Sequence, residues 1–215
     1  MASAAAAVGR DVRSITLLAV SKGQDIASIR GANALGIDDF GENYLDEALP
    51  KIEALAGAQV SWHFIGRVQG NKTRPIAAHF SWVHGVDRLR IAERLSAQRP
   101  FQAPPLNVCV QVHVADDPAK GGVLPEALPT LLQAIAALPR LRLRGLMCML
   151  PHDMGPADQH VAFTQLAEMA RQSRADGMPL DTLSMGMSAD FEAAIACGAT
   201  MVRIGTALFG DRMQP

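Results

Sequence analysis

Short apolar runs rich in β-branched residues recur along the chain at 15–22, 37–41, 60–66, 82–86, 106–114, 141–149, 182–186 and 201–205. Between them the apolar positions fall three and four apart, which predicts helices over 26–35, 44–55, 73–79, 88–98, 125–138, 158–174 and 189–197. Eight strands alternating with helices imply a parallel sheet, and eight such units fit a closed (β/α)8 TIM barrel of the α/β class. An open doubly wound sheet would need a G-x-G-x-x-G turn after an early strand, and the chain has none. No linker or low-complexity segment interrupts the pattern, so residues 1–215 read as one domain. Ten residues follow the last strand, enough for one helical turn but not for an outer helix. The seam between the last strand and the first is therefore expected to be covered by a shortened N-terminal helix within residues 1–14.

Composition narrows the function. Twenty basic against 21 acidic residues give a net charge of −1, which argues against nucleic acid or an anionic membrane as partner. Aromatic residues make up 5%, too few for base-stacking platforms, and Tyr44 is the one tyrosine. No apolar run approaches the ~18 residues of a membrane span, and the alanine-rich start lacks a basic region, so a cytoplasmic protein is expected. Cys109, Cys148 and Cys197 are odd in number and widely spaced, and read as reduced thiols. The only lysines are Lys22, Lys51, Lys72 and Lys120.

Barrel active sites lie at the C-terminal ends of the strands. Strand one closes on Ala19-Val20-Ser21-Lys22, whose alternation sets Leu18, Val20 and Lys22 on one face. Such a lysine is either a nucleophile toward a carbonyl or an edge residue reaching solvent. Strand seven runs into Gly186-Met187-Ser188 and strand eight into Arg203-Ile204-Gly205-Thr206. These two loops form the recurring phosphate site of the fold, although Ser188 could instead cap the helix that follows. Arg203 either points into the barrel mouth or pairs with a carboxylate. A lysine facing a phosphate cup suggests a phosphorylated carbonyl compound, pyridoxal 5'-phosphate (PLP) or a phosphosugar. His63, His84 and His113 lie on three strands, but no acidic ligand ends strand eight, so a metal site is not expected. Asp116, Asp117 and Lys120 form a charged loop after strand five.

Five motifs then occur in order: Ala19-Val20-Ser21-Lys22; Phe40-Gly41-Glu42-Asn43-Tyr44; His63-Phe64-Ile65-Gly66 with Gln69 and Asn71-Lys72; Ser184 to Ser188; and Val202-Arg203-Ile204-Gly205-Thr206. In these the chain resembles the pyridoxal-phosphate homeostasis proteins, relatives of the N-terminal barrel of alanine racemase, over residues 15–210. The resemblance implies PLP held as an internal aldimine on Lys22. It implies a phosphate held by Met187-Ser188 and Gly205-Thr206, Arg203 near the pyridine nitrogen, and Asn43 lining the pocket. It further implies a cytosolic carrier or regulator of PLP and amino-acid balance, without an established reaction; a monomer is expected, with apo PLP-dependent enzymes as partners. A PLP-dependent racemase or decarboxylase, or a PLP-free phosphosugar lyase or isomerase, would use the same parts. The chain departs from the family pattern at Gly23-Gln24, where Thr and a second basic residue are usual, which leaves Lys120 as the remaining accessory amine. It departs again at His113, where the family has Asn, and in its short start before strand one.

Overall fold

The computed structural model describes residues 1–115, 117 and 120–210. Eight strands close in chain order into a parallel barrel: β1 (Thr16–Val20), β2 (Asp39–Glu42), β3 (Ser61–Phe64), β4 (Trp82–Val86), β5 (Leu106–Gln111), β6 (Leu141–Met147), β7 (Thr182–Met187) and β8 (Met201–Ile204). The outer helices are α1 (Ala2–Ala7), α2 (Ile26–Ala34), α3 (Leu45–Ala54), α4 (Thr73–His79), α5 (Leu89–Gln98), α6 (Leu128–Ala136), α7 (Pro156–Ala175), α8 (Phe191–Ala196) and α9 (Thr206–Phe209). The predicted architecture is the observed one.

Closure depends on the seam. β8 pairs with β1 in the register Leu18↔Arg203, and Thr16 N donates to Thr200 O at 2.8 Å. The expected N-terminal cover is present: α1 packs on α8 with Ala5 fully buried, and Arg10 Nη1 donates to Ile195 O at 2.8 Å. Asp11 then caps a short turn, Val12–Ser14, that feeds β1.

Several strands end earlier than their apolar runs suggest. Ser21 N still bonds to Gly41 O, but Gln24 N folds back onto Ser21 O through a turn with Gly23 at φ +72°. Lys22 therefore sits on a turn beyond β1 rather than on the strand. Val112 N makes the last bond to β6, at Met147 O; Val112 also bridges to Val123, and His113 N donates to Val123 O. Asp116 of the charged loop lies outside the described residues.

Two apolar cores result. The larger lies between sheet and helices and includes Phe40, Phe80, Ile135 and Phe163. A small one lies inside the barrel, made of Leu18, Ile65 and Met201 with Val20 against them. The rest of the interior holds buried polar side chains, among them His63, His84, Ser184 and Arg203. A barrel of this kind is usually filled by layers of aliphatic residues.

Candidate cofactor site at the barrel mouth

Lys22 is half-buried on the turn after β1, and both of its chain neighbours are clamped. Ser21 Oγ donates to Glu42 Oε1 at 2.6 Å, while Ser21 O accepts from Lys51 Nζ at 2.8 Å. On the other side Gly23 N donates to Glu47 Oε1. Lys51 joins the set, donating to Glu42 Oε1 at 2.9 Å and to Glu47. Lys51 and Glu42 are 6% and 0% exposed. Burial pushes the Glu42 carboxyl above its ordinary value, against the opposing pull of Ser21 and Lys51. Lys51 is thus a structural cation under the Lys22 turn.

Asn43 follows β2. Gly66 passes so close to its backbone that any side chain at 66 would collide with Asn43 O. The loops after β2 and β3 are locked together. Asn43 Oδ1 is buried, with no hydrogen-bond partner among the described residues, and so is His113 Nε2. An unpaired buried acceptor is costly and marks a place for a ligand donor or water.

On the opposite side, Met187 and Ser188 leave β7 while Gly205 and Thr206 leave β8. Ser188 does not cap the following helix. α8 begins at Phe191 with Asp190 in the cap position, and Asp190 Oδ1 accepts from Met187 N. The reason lies at Gly186, whose φ of +91° turns the chain where a Cβ would come within 2.6 Å of Ala194 Cβ. The loop therefore runs longer before α8 starts. The Met187 amide is engaged by Asp190, while Ser188 is half-buried and Thr206 exposed, at the start of α9.

Arg203 is 3% exposed and points inward. Its Nη1 donates to Ser184 O at 2.7 Å and to Ser184 Oγ at 3.0 Å, and Nη2 donates to Cys148 O at 2.8 Å. No ion pair involves it among the described residues. Of the two readings open in the sequence, the structure selects the inward one. Guanidinium has five N–H groups, so three are committed and two remain for a ligand.

The three histidines part company. His63 and His84 meet inside the barrel, Nδ1 to Nε2 at 3.0 Å, whereas His113 lies apart on the β5 exit. His63 Nε2 contacts Asp39 Oδ1 at 2.9 Å, and His84 Nδ1 contacts Ser184 Oγ at 2.8 Å. Trp82 stacks on His63 with ring centroids 5.2 Å apart, and the Arg144 guanidinium lies over the Trp82 ring, 4.6 Å from its centroid. No group of metal ligands forms among the described residues. Burial pushes the Cys109 and Cys148 thiols up to about 12, so both stay protonated.

Burial also pulls both imidazoles down, His84 well below its ordinary value, with His63 and Arg203 adding repulsion there. The unfolded chain therefore accepts protons that the folded chain refuses. The stability this confers is full above the unfolded value of about 6.5 and falls as pH drops below it. Each ring then costs up to about 1.4 kcal/mol per pH unit until its folded pKa is reached. Glu42, raised rather than lowered, works in the opposite sense. Denaturant midpoints from pH 7.5 to 5 should fall for the natural chain, and fall less when His63 and His84 are both replaced by Gln. Equal slopes would show that the rings already bind protons when folded.

Known proteins resemble this chain in sequence and in fold. Residues 5–213 match the family model for the alanine racemase N-terminal domain. A protein of Pseudomonas aeruginosa named pyridoxal phosphate homeostasis protein is 57% identical over 209 residues, 97% of this chain and 90% of that one. A protein of the same name from Escherichia coli is 46% identical over 99% of this chain and 92% of its own. PipY of Synechococcus elongatus, solved with PLP bound, is 37% identical over 97% of this chain and 99% of its own, with a TM-score of 0.86. Alanine racemase of Clostridium difficile, 14% identical over 94% of this chain and 53% of its own, shares the fold with a TM-score of 0.76. The chain belongs to the alanine racemase N-terminal domain family and, within it, to the pyridoxal phosphate homeostasis proteins.

Proposed function

We propose that this chain binds pyridoxal 5'-phosphate at the barrel mouth, with covalent attachment through Lys22, and acts in PLP homeostasis and amino-acid balance. The observation that carries the reading is Arg203: a buried guanidinium, anchored on three acceptors, with two donors left for a ligand. The residues fit the group. The half-buried amine of Lys22 suits an aldehyde, and the unpaired Asn43 Oδ1 offers an acceptor in the pocket. The hydroxyls of Ser188 and Thr206, with the backbone of Gly205, suit a phosphate. Bound PLP supplies an electrophilic aldehyde joined to an electron-withdrawing pyridine ring.

Arg203 can only donate, so it favours an unprotonated ring nitrogen and a weaker electron sink. Tyr44, the single tyrosine, is 64% exposed. The reading is a carrier that holds the cofactor in a quiet form, monomeric and cytoplasmic, and passes it to apo-enzymes. The test is to titrate the purified chain with PLP, then add single L- and D-amino acids and, separately, an apo-enzyme. A yellow complex that restores the apo-enzyme without converting amino acids is the expected result. Multiple turnovers of racemisation or decarboxylation would overturn the carrier reading, and a chain that stays colourless would overturn PLP binding.

The phosphate assignment makes its own prediction. A charge-assisted hydrogen bond contributes roughly 1.5–3 kcal/mol. Thr206→Val should therefore weaken PLP about tenfold or more and leave unphosphorylated pyridoxal nearly unaffected. Equal losses for the two ligands would place the phosphate elsewhere.

A further inference from the structure

The polar interior of the barrel forms one chain of contacts: Asp39, His63, His84, Ser184, Arg203. It runs from the first residue of β2, at the end of the barrel away from the mouth, to the arginine beneath the candidate site. The side chains of His63 and His84 and the residues Ser184 and Arg203 are at most 3% exposed, whereas the Asp39 side chain is 32% exposed.

The two ends fix the direction of every bond. Arg203 has no acceptor, so its Nη1 donates to Ser184 Oγ. The Ser184 hydroxyl is then free to give its proton to His84 Nδ1. A neutral His84 accepting at Nδ1 carries its hydrogen on Nε2 and donates to His63 Nδ1. His63, accepting there, donates from its own Nε2 to the Asp39 carboxylate, with Ser61 Oγ beside it at 3.2 Å. Reversing any one link sets two hydrogens, or two lone pairs, against each other. In a low-dielectric interior such a mismatch is severe, and a fully matched chain is correspondingly rigid.

We infer that His63, His84 and Ser184 are positioning residues, which use the Asp39 carboxylate as anchor to hold the Arg203 guanidinium in the orientation that presents its two remaining N–H groups to the ring nitrogen of PLP. The inference rests on the assignment of Arg203 to that nitrogen.

Two measurements test it. The first needs no cofactor: nitrogen NMR of the imidazoles in the apo chain at pH 7. Both rings should be neutral, with hydrogen on Nε2; a charged ring, or hydrogen on Nδ1 of either, overturns the relay. The second compares binding of PLP with binding of its analogue carrying carbon in place of the ring nitrogen. Ser184→Ala should weaken PLP about tenfold and the analogue less than twofold. Equal loss for both ligands, or no loss for either, overturns the positioning role. Arg203→Gln separates the two layers. If it weakens both ligands equally, the assignment of Arg203 to the ring nitrogen fails, whatever the NMR result; if it spares the analogue while Ser184→Ala does not, the assignment stands and the positioning role fails. Should Ser184→Ala not fold, His84→Gln takes its place in the same comparison.

Discussion

Lys22→Ala should abolish covalent capture of PLP altogether, while Lys72→Ala leaves it intact. Absorbance of the complex, and the mass of the chain after borohydride treatment, measure the effect. The expectation follows from where the four lysines sit. Lys72 pairs with Asp46 on an exposed surface, Nζ to Oδ1 at 3.1 Å. Lys51 is buried on three acceptors, and Lys120 lies in the loop after β5, where its carbonyl accepts from Gln111 at 2.6 Å. Only Lys22 combines partial burial with a place beside the ends of β2 and β8, on a turn held at both flanks. A full-intensity band and an unchanged adduct mass in Lys22→Ala would move the attachment to another lysine.

The second large effect is on stability. Lys51→Ala removes the cation from a buried pair and leaves the Glu42 carboxylate with Ser21 alone. Breaking a buried ion pair from one side costs about 3–5 kcal/mol. Since burial already raises the Glu42 carboxyl, the variant has a way out: it folds with Glu42 protonated. A raised folded pKa gives stability that is full at low pH and lost as pH rises through that pKa. The gap between Lys51→Ala and the natural chain should therefore widen from pH 5 to pH 8. Adding Glu42→Gln to Lys51→Met should recover more than half of the loss, because both ends of the buried pair are then neutral. Denaturant midpoints measure it, and a loss under about 1 kcal/mol at pH 8 would show that the pair is not the support described.

These two lysines show what the sequence could and could not disclose. Lys22 was legible because it closes an apolar run, and a barrel places such positions at the mouth whatever else happens. From sequence alone nothing marks Lys51 beyond its being one of four lysines, inside the helix predicted over 44–55. Glu47 is a local partner, four residues back on the same helix, but Ser21 and Glu42 come from the turn after β1 and from β2, which meet α3 only on folding. The histidines repeat the lesson. Alternation sets each on a strand, but the contact between His84 and Ser184 joins residues 100 positions apart. Nothing local separates His113 from the other two. The eight strands were readable because each is a short apolar run, while their ends were not, since a single pairing such as Val112 with Val123 redirects the chain. Ser188 looked like a helix cap because the positive-φ bend at Gly186, which postpones α8, leaves no pattern in hydrophobicity.

The stacking of Trp82 on His63 has a practical side. The chain has two tryptophans, and the other, Trp62, packs against Phe40 in the outer core with centroids 5.9 Å apart. An imidazolium quenches indole emission far more strongly than a neutral imidazole. The molecule thus contains its own fluorescent gauge. Light emitted by Trp82 reports the charge on His63 without any added dye, and Trp62, packed against Phe40 in the outer core, supplies the internal standard.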